Sequence, residues 1–156
     1  MLKLDNKDKN ILKMLYGDGR ASVSEISRKT GIPRDSVHYR LQRLIKSGVI
    51  NQFLLILDSV KLGYPVFTFV NFILYNFDDK TEKEFYSYLV QQPYVIYVAK
   101  TTGKWDCTIS ISAKTLEHFD SILRDIRKKF SPIIKEFETA SIIEEIKYDY
   151  KLDLIQ

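Results

Sequence analysis

The stretch SVSEISRKTGIPRDSVHYRLQRLIKSGVI, Ser22 to Ile50, decides how the first third of the chain is read. It opens with Ser22-Val23-Ser24-Glu25. A serine followed three residues later by a glutamate forms a capping box, in which each side chain satisfies an orphan backbone N–H of the other. Gly31 ends that helix in a left-handed cap, which makes it short, with Ile26 as its anchor and Val23 beside it. Pro33 starts the next helix, because its missing N–H would be unpaired in the first turn anyway. Gly48 stops it. Between them Val37, Leu41, Leu44 and Ile45 recur at i, i+4, i+7 and i+8, which predicts one buried stripe. At about 100° per residue, Tyr39 and Lys46 point away from the stripe. Ser36, Asp35, Gln42 and Arg43 lie beside them, and His38 and Arg40 fall on the flanks.

This outer face is lopsided: Arg34, Arg40, Arg43 and Lys46 stand against a single acid, Asp35. A solvated surface helix usually interleaves both signs. Two helices joined by a tight turn, the second with a basic outer face, fit docking in a major groove about 12 Å wide. Arg34, Asp35, Ser36, His38 and Tyr39 occupy the first two turns, from which side chains reach base edges; Gln42 lies on the same face. Arg40, Arg43 and Lys46 lie further along and suit phosphates. Ser22 and Ser24 offer hydroxyls and a positive helix end to another phosphate. A dimer of such units would read half-sites ~34 Å apart, or a multiple of that.

The chain has 156 residues, enough for one domain or two small ones, and 45% hydrophobic residues, enough for a packed core. Its net charge of +4 is unevenly placed. Residues 1–60 hold 11 Lys and Arg against 6 Asp and Glu, and the remainder holds 13 against 14. A local basic excess is the footprint of a polyanion partner. No apolar run approaches the ~20 residues of a membrane span. The first ten residues, MLKLDNKDKN, have no apolar signal region. The lone cysteine, Cys107, excludes an intrachain disulfide and a paired-cysteine metal site. These features point to a cytoplasmic protein, associated with the nucleoid if it binds DNA.

Ahead of the opening stretch, Asp5 and Asp8 mark a helix start, and Ile11, Leu12, Leu15 and Tyr16 give that helix a buried face. After it, Val49 to Leu57 (VINQFLLIL) is rich in β-formers, and Asp58 to Pro65 is punctuated by Gly63 and Pro65. We therefore expect a DNA-binding domain over residues 1–60, a linker to about 65 and a second domain over 66–150. The second domain alternates: strand Val66–Tyr75, helix Asp78–Gln92, strands Tyr94–Lys100 and Trp105–Ser112, helix Lys114–Phe130 with Leu116, Phe119, Leu123 and Ile126 inward, and strand Ile133–Ile146. The order βαββαβ is a ferredoxin-like split unit, so the fold class is α+β. The first strand is apolar on both faces, with Val66, Val70, Phe72 and Leu74 on one and Phe67, Phe69, Ile73 and Tyr75 on the other. Two helices cover one face; the other requires a partner subunit, most simply a symmetric copy.

Other residues have plainer readings. His118 reads as an exposed side chain, Cys107 as a small buried residue in phase with Ile109 and Ile111, and Phe67, Phe69 and Phe72 as core or interface. Asp106 is open between tying a turn and binding a ligand. The cations of Arg124 to Lys129 suit a helix C-terminus and could also touch DNA. Two distant histidines, one buried cysteine and no phosphate-cradling glycine loop give an enzyme little support, and no metal or cofactor is expected. The rival class is a metabolite-sensing oligomer that does not bind DNA directly.

Leu4 to Ile50 resembles the N-terminal half of the Lrp/AsnC, or feast/famine, regulators. The marks are Leu4-Asp5, Asp8, Ile11-Leu12, Gly19-Arg20, Glu25-Ile26, Gly31, Val37, Arg40, Leu44 and Gly48-Val49-Ile50. Leu62-Gly63 and Thr102-Gly103-Lys104-Trp105-Asp106 extend the resemblance into the second half. It implies a DNA-binding transcriptional regulator with an N-terminal winged helix-turn-helix and a C-terminal effector domain, assembled as a homodimer or as a tetramer or octamer. It further implies a small-molecule effector, commonly an amino acid, held near Gly103, Lys104, Trp105 and Asp106, with Thr139 to Ser141 of a neighbouring subunit contributing. Against the family pattern, Pro33 replaces a serine cap and Trp105 a tyrosine. Ile133 stands where a glycine is common. Lys104 stands where an acid is frequent, which leaves Asp106 to meet an ammonium group.

Overall fold

The computed structural model describes residues 2–146. These fall into two compact units divided at Ile56/Leu57, ahead of the expected linker. Residues 147–150 of the expected second domain lie outside the described residues.

The first unit is α1 (Asn6–Gly17), α2 (Val23–Thr30) and α3 (Arg34–Lys46). Both expected helix starts form reciprocal caps. The Asp8 N–H donates to the Asp5 carboxylate at 2.9 Å, and the Asp5 N–H to that of Asp8 at 3.0 Å. Likewise the Glu25 N–H donates to Ser22 Oγ at 3.2 Å and the Ser22 N–H to Glu25 Oε2 at 2.8 Å. Gly31 takes the left-handed conformation, φ +70°, that lets α2 stop within one residue of α3's approach. Pro33 is the N-cap of α3 and makes no side-chain cap bond, having no acceptor to offer. Ile11, Ile26, Ile32, Val37 and Leu44 form the core. Ile45 and Tyr16, both expected inside, are 42% and 41% exposed, because the buried stripe is narrower than the apolar pattern.

Val49 to Leu57, the run rich in β-formers, does not form a strand. A strand needs a neighbour to accept its backbone bonds. The one sheet formed by the described residues contains only strands from Val66 onward. Phe53, Leu54, Leu55, Ile56 and Leu57 are all exposed, Leu55 at 81%.

The second unit is β1 (Val66–Leu74), α4 (Asp79–Gln91), β2 (Val95–Lys100), β3 (Cys107–Ala113), α5 (Leu116–Lys129) and β4 (Ile134–Ser141). The strands form one antiparallel sheet in the order β2-β3-β1-β4, the ferredoxin-like arrangement. Burial alternates along β1: Thr68, Val70, Phe72 and Leu74 are buried, and Phe67, Phe69, Asn71 and Ile73 are half-buried on the opposite face. The buried row packs with Phe85 and Leu89 of α4 and Ile122, Leu123 and Ile126 of α5. Phe85 is the hinge of this core, edge-on to Phe72 at 5.9 Å and to Phe130 at 5.1 Å between ring centroids. Leu116, expected inward, is 63% exposed, since α5 begins there and Ile122 fills the core instead. The last strand ends at Ser141, short of the expected Ile146.

Two minor expectations are also settled. Cys107 is buried, and burial pushes its thiol up to about 12. His118 is not a free surface group: its Nδ1 accepts the Lys114 N–H at 3.2 Å, and its ring stands edge-on to Tyr94 at 4.6 Å.

Candidate nucleic-acid interface

The outer face of α3 follows from its period. Arg34, Asp35, His38, Tyr39, Gln42 and Lys46 are all exposed, Tyr39 at 67%. Tyr39, Gln42, Arg43, Lys46 and Ser47 line a shallow depression on this side. The arrangement combines cations with phenol, imidazole, amide and carboxylate groups on one helical surface.

Two of the expected phosphate contacts are committed elsewhere. Arg40 Nη1 donates to Asp5 Oδ1 and Oδ2 at 2.8 and 2.7 Å and to Asp8 Oδ1 at 2.8 Å. Its Nε reaches Ser36 Oγ at 3.4 Å. Arg43 Nη2 donates to Asp8 Oδ2 at 2.5 Å. The Asp8 side chain is fully buried, and those of Arg40 and Arg43 are 17% and 34% exposed. A carboxylate taken out of water requires paired charge, and the two arginines supply it from the adjacent helix. The Arg43 Nε is buried without a partner. The basic excess read from the sequence of α3 is therefore partly spent on α1. The Asp8 N–H bond and then the Arg40 guanidinium hold the Asp5 carboxyl down at about 2. Asp5, followed by Asp8, raises Arg40 further above its ordinary value.

At the start of α2 the expected phosphate hydroxyls diverge. Ser22 Oγ is used within its capping box, donating to Glu25 Oε2 at 2.9 Å while accepting the Glu25 N–H. The Ser22 N–H, followed by its hydroxyl, keeps the Glu25 carboxyl below its usual range. Ser24 is exposed.

The second set of expected residues lies in the other unit, at the turn between β2 and β3. Gly103 adopts φ +105°, a conformation that favours glycine. Thr101 closes the turn, its N–H donating to the Asp106 carbonyl at 3.0 Å and its hydroxyl to the Trp105 carbonyl at 2.7 Å. Asp106 is bound to β1 twice: its N–H donates to the Phe72 carbonyl at 2.9 Å, and its Oδ2 accepts the Leu74 N–H at 2.8 Å. One carboxylate oxygen is thus committed to holding the turn. The Lys104 ammonium lies 4.2 Å from the centre of the Trp105 ring and 4.0 Å from Glu138. Thr139 pairs opposite Val70 and Ser141 opposite Thr68, whose hydroxyl is 3.0 Å from Ser141 Oγ. Thr139 and Ser141 alternate with Glu138 along β4, so the strand's pleat sends them to the face opposite the one Lys104 approaches.

Sequence reasoning missed the role of Asp8. The signal was two acids at i and i+3 on α1 facing two arginines at i and i+3 on α3, which a helix-dipole reading alone does not use.

Residues 4–51 match the winged helix-turn-helix DNA-binding family, and residues 69–152 match the Lrp/AsnC ligand binding domain. The chain is 37% identical over 120 residues to the HTH-type transcriptional regulator FL11 of Pyrococcus horikoshii, covering 77% of this chain and 78% of that one. Among solved structures, LrpC of B. subtilis superposes with a TM-score of 0.80 at 32% identity, covering 95% of this chain and all of that one. A transcriptional regulator of Neisseria meningitidis, solved as a complex with L-Met, has the same fold, with a TM-score of 0.87 at 20% identity and 95% of each chain covered. With a helix-turn-helix half and a ligand-binding half in that order along the sequence, this chain belongs to the Lrp/AsnC family of transcriptional regulators, proteins that bind DNA and not enzymes.

Proposed function

We propose that the protein is a sequence-specific DNA-binding regulator that works as a homodimer or a higher assembly, up to a tetramer or octamer, and answers to a small-molecule effector. The observation that carries this reading is the outer face of α3, where Arg34, Asp35, His38, Tyr39, Gln42 and Lys46 stand exposed together. Lys46 meets a phosphate, Arg34, His38 and Tyr39 address base edges, and Ser24 meets a phosphate at the start of α2. Self-association is supported by the second unit's half-buried Phe67, Phe69 and Ile73, on the sheet face opposite the row that packs against α4 and α5 among the described residues. Such a face needs a cover, and a second copy supplies a matching one. The effector site is the Gly103–Asp106 turn, completed by Thr139 to Ser141 of a neighbouring subunit. The match to a ligand-binding domain supports a small molecule there, and an amino acid is the class to try first. Among the described residues no helix is long and apolar enough to cross a membrane. The DNA-binding half supports a nucleoid-associated cytoplasmic location.

The test is selection of bound duplexes from a random pool, with and without each amino acid. A two-fold symmetric motif with half-sites ~34 Å apart, or a multiple, is expected. Lys46→Ala should weaken binding to every duplex and flatten the log–log salt slope by ~0.9. Tyr39→Ala should change the selected motif while leaving that slope in place. A pool that returns unenriched at low salt would overturn the proposal.

A further inference from the structure

A buried ion pair is poor glue. Desolvating the charges offsets most of their attraction, and an apolar replacement is often as stable. The four-residue cluster of Asp5, Asp8, Arg40 and Arg43 does change one thing decisively, which is where positive charge sits. Arg40 gives one nitrogen to three carboxylate oxygens, and only 17% of its side chain meets solvent. Arg43 is anchored by one nitrogen to a carboxylate that is itself wholly buried. Both arginines lie on α3, Arg40 within one turn of the exposed Tyr39 and Gln42 and Arg43 about one turn or less from Tyr39, Gln42 and Lys46. A mobile arginine at either place would reach any phosphate, whatever the sequence.

Building on the DNA-binding reading of α3, we propose that Asp8, assisted by Asp5, is a specificity-determining residue: by withholding Arg40 and fixing Arg43, it keeps two cations from sequence-blind contact with phosphates. The attraction of a protein to any duplex grows with each cation free to displace counterions, by ~0.9 in the log–log salt slope per phosphate neutralised. Attraction of that kind acts at every competing site in the genome, whereas in the specific complex the base contacts already fix the helix and leave fewer phosphates within its reach, so it lowers the ratio of specific to non-specific affinity. Asp8 is a positioning residue in this scheme and does not touch DNA. The depression that Arg43 lines with Tyr39, Gln42 and Lys46 keeps its shape because the guanidinium is held from behind.

The test uses the full chain carrying Asp8→Asn or Asp5→Asn, measured over a salt series on two duplexes, one of random sequence and one selected by the wild type. Asparagine at position 5 still caps α1, so that variant removes charge without removing the cap. Thermal melts run in parallel. The expected result for Asp8→Asn is a steeper slope on random duplex, by ~0.9 for each arginine released, and binding on the order of tenfold tighter at low salt. The selected duplex gains less, so the ratio of the two affinities narrows. Asp5→Asn shifts both quantities the same way by less, and it decides the matter if Asp8→Asn does not fold. Lower melting with unchanged slopes would mean that the cluster serves only to hold the helices together. A shallower slope would mean that the arginines already sit on phosphates. Either result overturns the proposal. Failure of the wild type to bind any duplex would instead overturn the DNA-binding reading itself.

Discussion

The two units solve the same problem, fixing one element against another, by opposite means. The three-helix unit has five buried apolar residues, and the register of α3 against α1 is set by Asp5, Asp8, Arg40 and Arg43. The sheet unit buries a much larger apolar cluster, from Val70 to Ile133, and locks its helices through edge-on aromatic rings. A domain of some 50 residues buries a smaller share of its surface than a larger one, so polar pairing carries more of its structure. That difference suits the functions. A helix that must meet DNA benefits from charges whose positions are specified, whereas a ligand-binding platform benefits from stiffness. Even the two units' key carboxylates differ: Asp8 is held by cations, and Asp106 by the Leu74 N–H.

The comparison would break most visibly in the sheet unit. Phe72 is fully buried and packs edge-on to Phe85. Phe72→Ala should cost about 3–5 kcal/mol, the usual range for removing a large core aromatic. The loss, read from urea melts, should be nearly the same at low and high salt, because dispersion and desolvation of apolar surface do not depend on screened charge. A loss under 1 kcal/mol, or one that tracked salt, would mean that the sheet unit is not held as described.

How far each unit was legible in the sequence follows from the same difference. Caps and stops are local, so Asp5, Ser22, Glu25 and Gly31 announced α1 and α2 directly, and alternation announced the βαββαβ order. Contacts that close over long separations were not legible. Arg40 meets Asp8 across 32 residues, and the Leu74 N–H meets Asp106 across 32 as well. In both cases the sequence shows a charged residue that could serve a ligand, and only the fold shows that the protein has already used it. The exposed face of α3 was legible because helical period alone separates Tyr39 and Lys46 from Val37 and Leu44. The run Val49 to Leu57 misled because β-propensity is a statement about side chains that fit a sheet, not about the presence of a neighbouring strand.

Acid should weaken the helical unit. The Asp8 N–H and Arg40 hold the folded Asp5 carboxyl at about 2, below its ordinary value of 3.8. A depressed folded value means that the charged form contributes stability, fully present above the unfolded value and lost as pH falls from about 4 through about 2. A pH series of melts should therefore show wild type and Asp5→Asn converging over that interval, with the wild type ahead above it. Added salt should shrink the gap at neutral pH, since Asp5 is half exposed and its attraction to Arg40 is screened. Parallel curves from pH 5 to 2 would show that Asp5 contributes no charge-dependent stability.

The smallest effect belongs to the other cap. Ser22 and Glu25 close α2 at an exposed corner, so no buried charge is stranded when the hydroxyl is lost. Ser22→Ala should cost about 1 kcal/mol, the typical value for removing a helix N-cap. Ser22→Asp should recover most of it, because a carboxylate at the same place accepts the Glu25 N–H and faces the positive end of the helix. Its charge also lies beside Glu25, so the recovery should improve with salt, as the repulsion between the two acids is screened faster than a hydrogen bond weakens. Measured on the same melts, this pair separates the part of the helical unit that depends on geometry from the part that depends on charge. If Ser22→Asp were worse than Ser22→Ala at every salt concentration, geometry and not charge would decide even at this solvent-exposed corner, and the division of labour between caps and ion pairs would have to be redrawn.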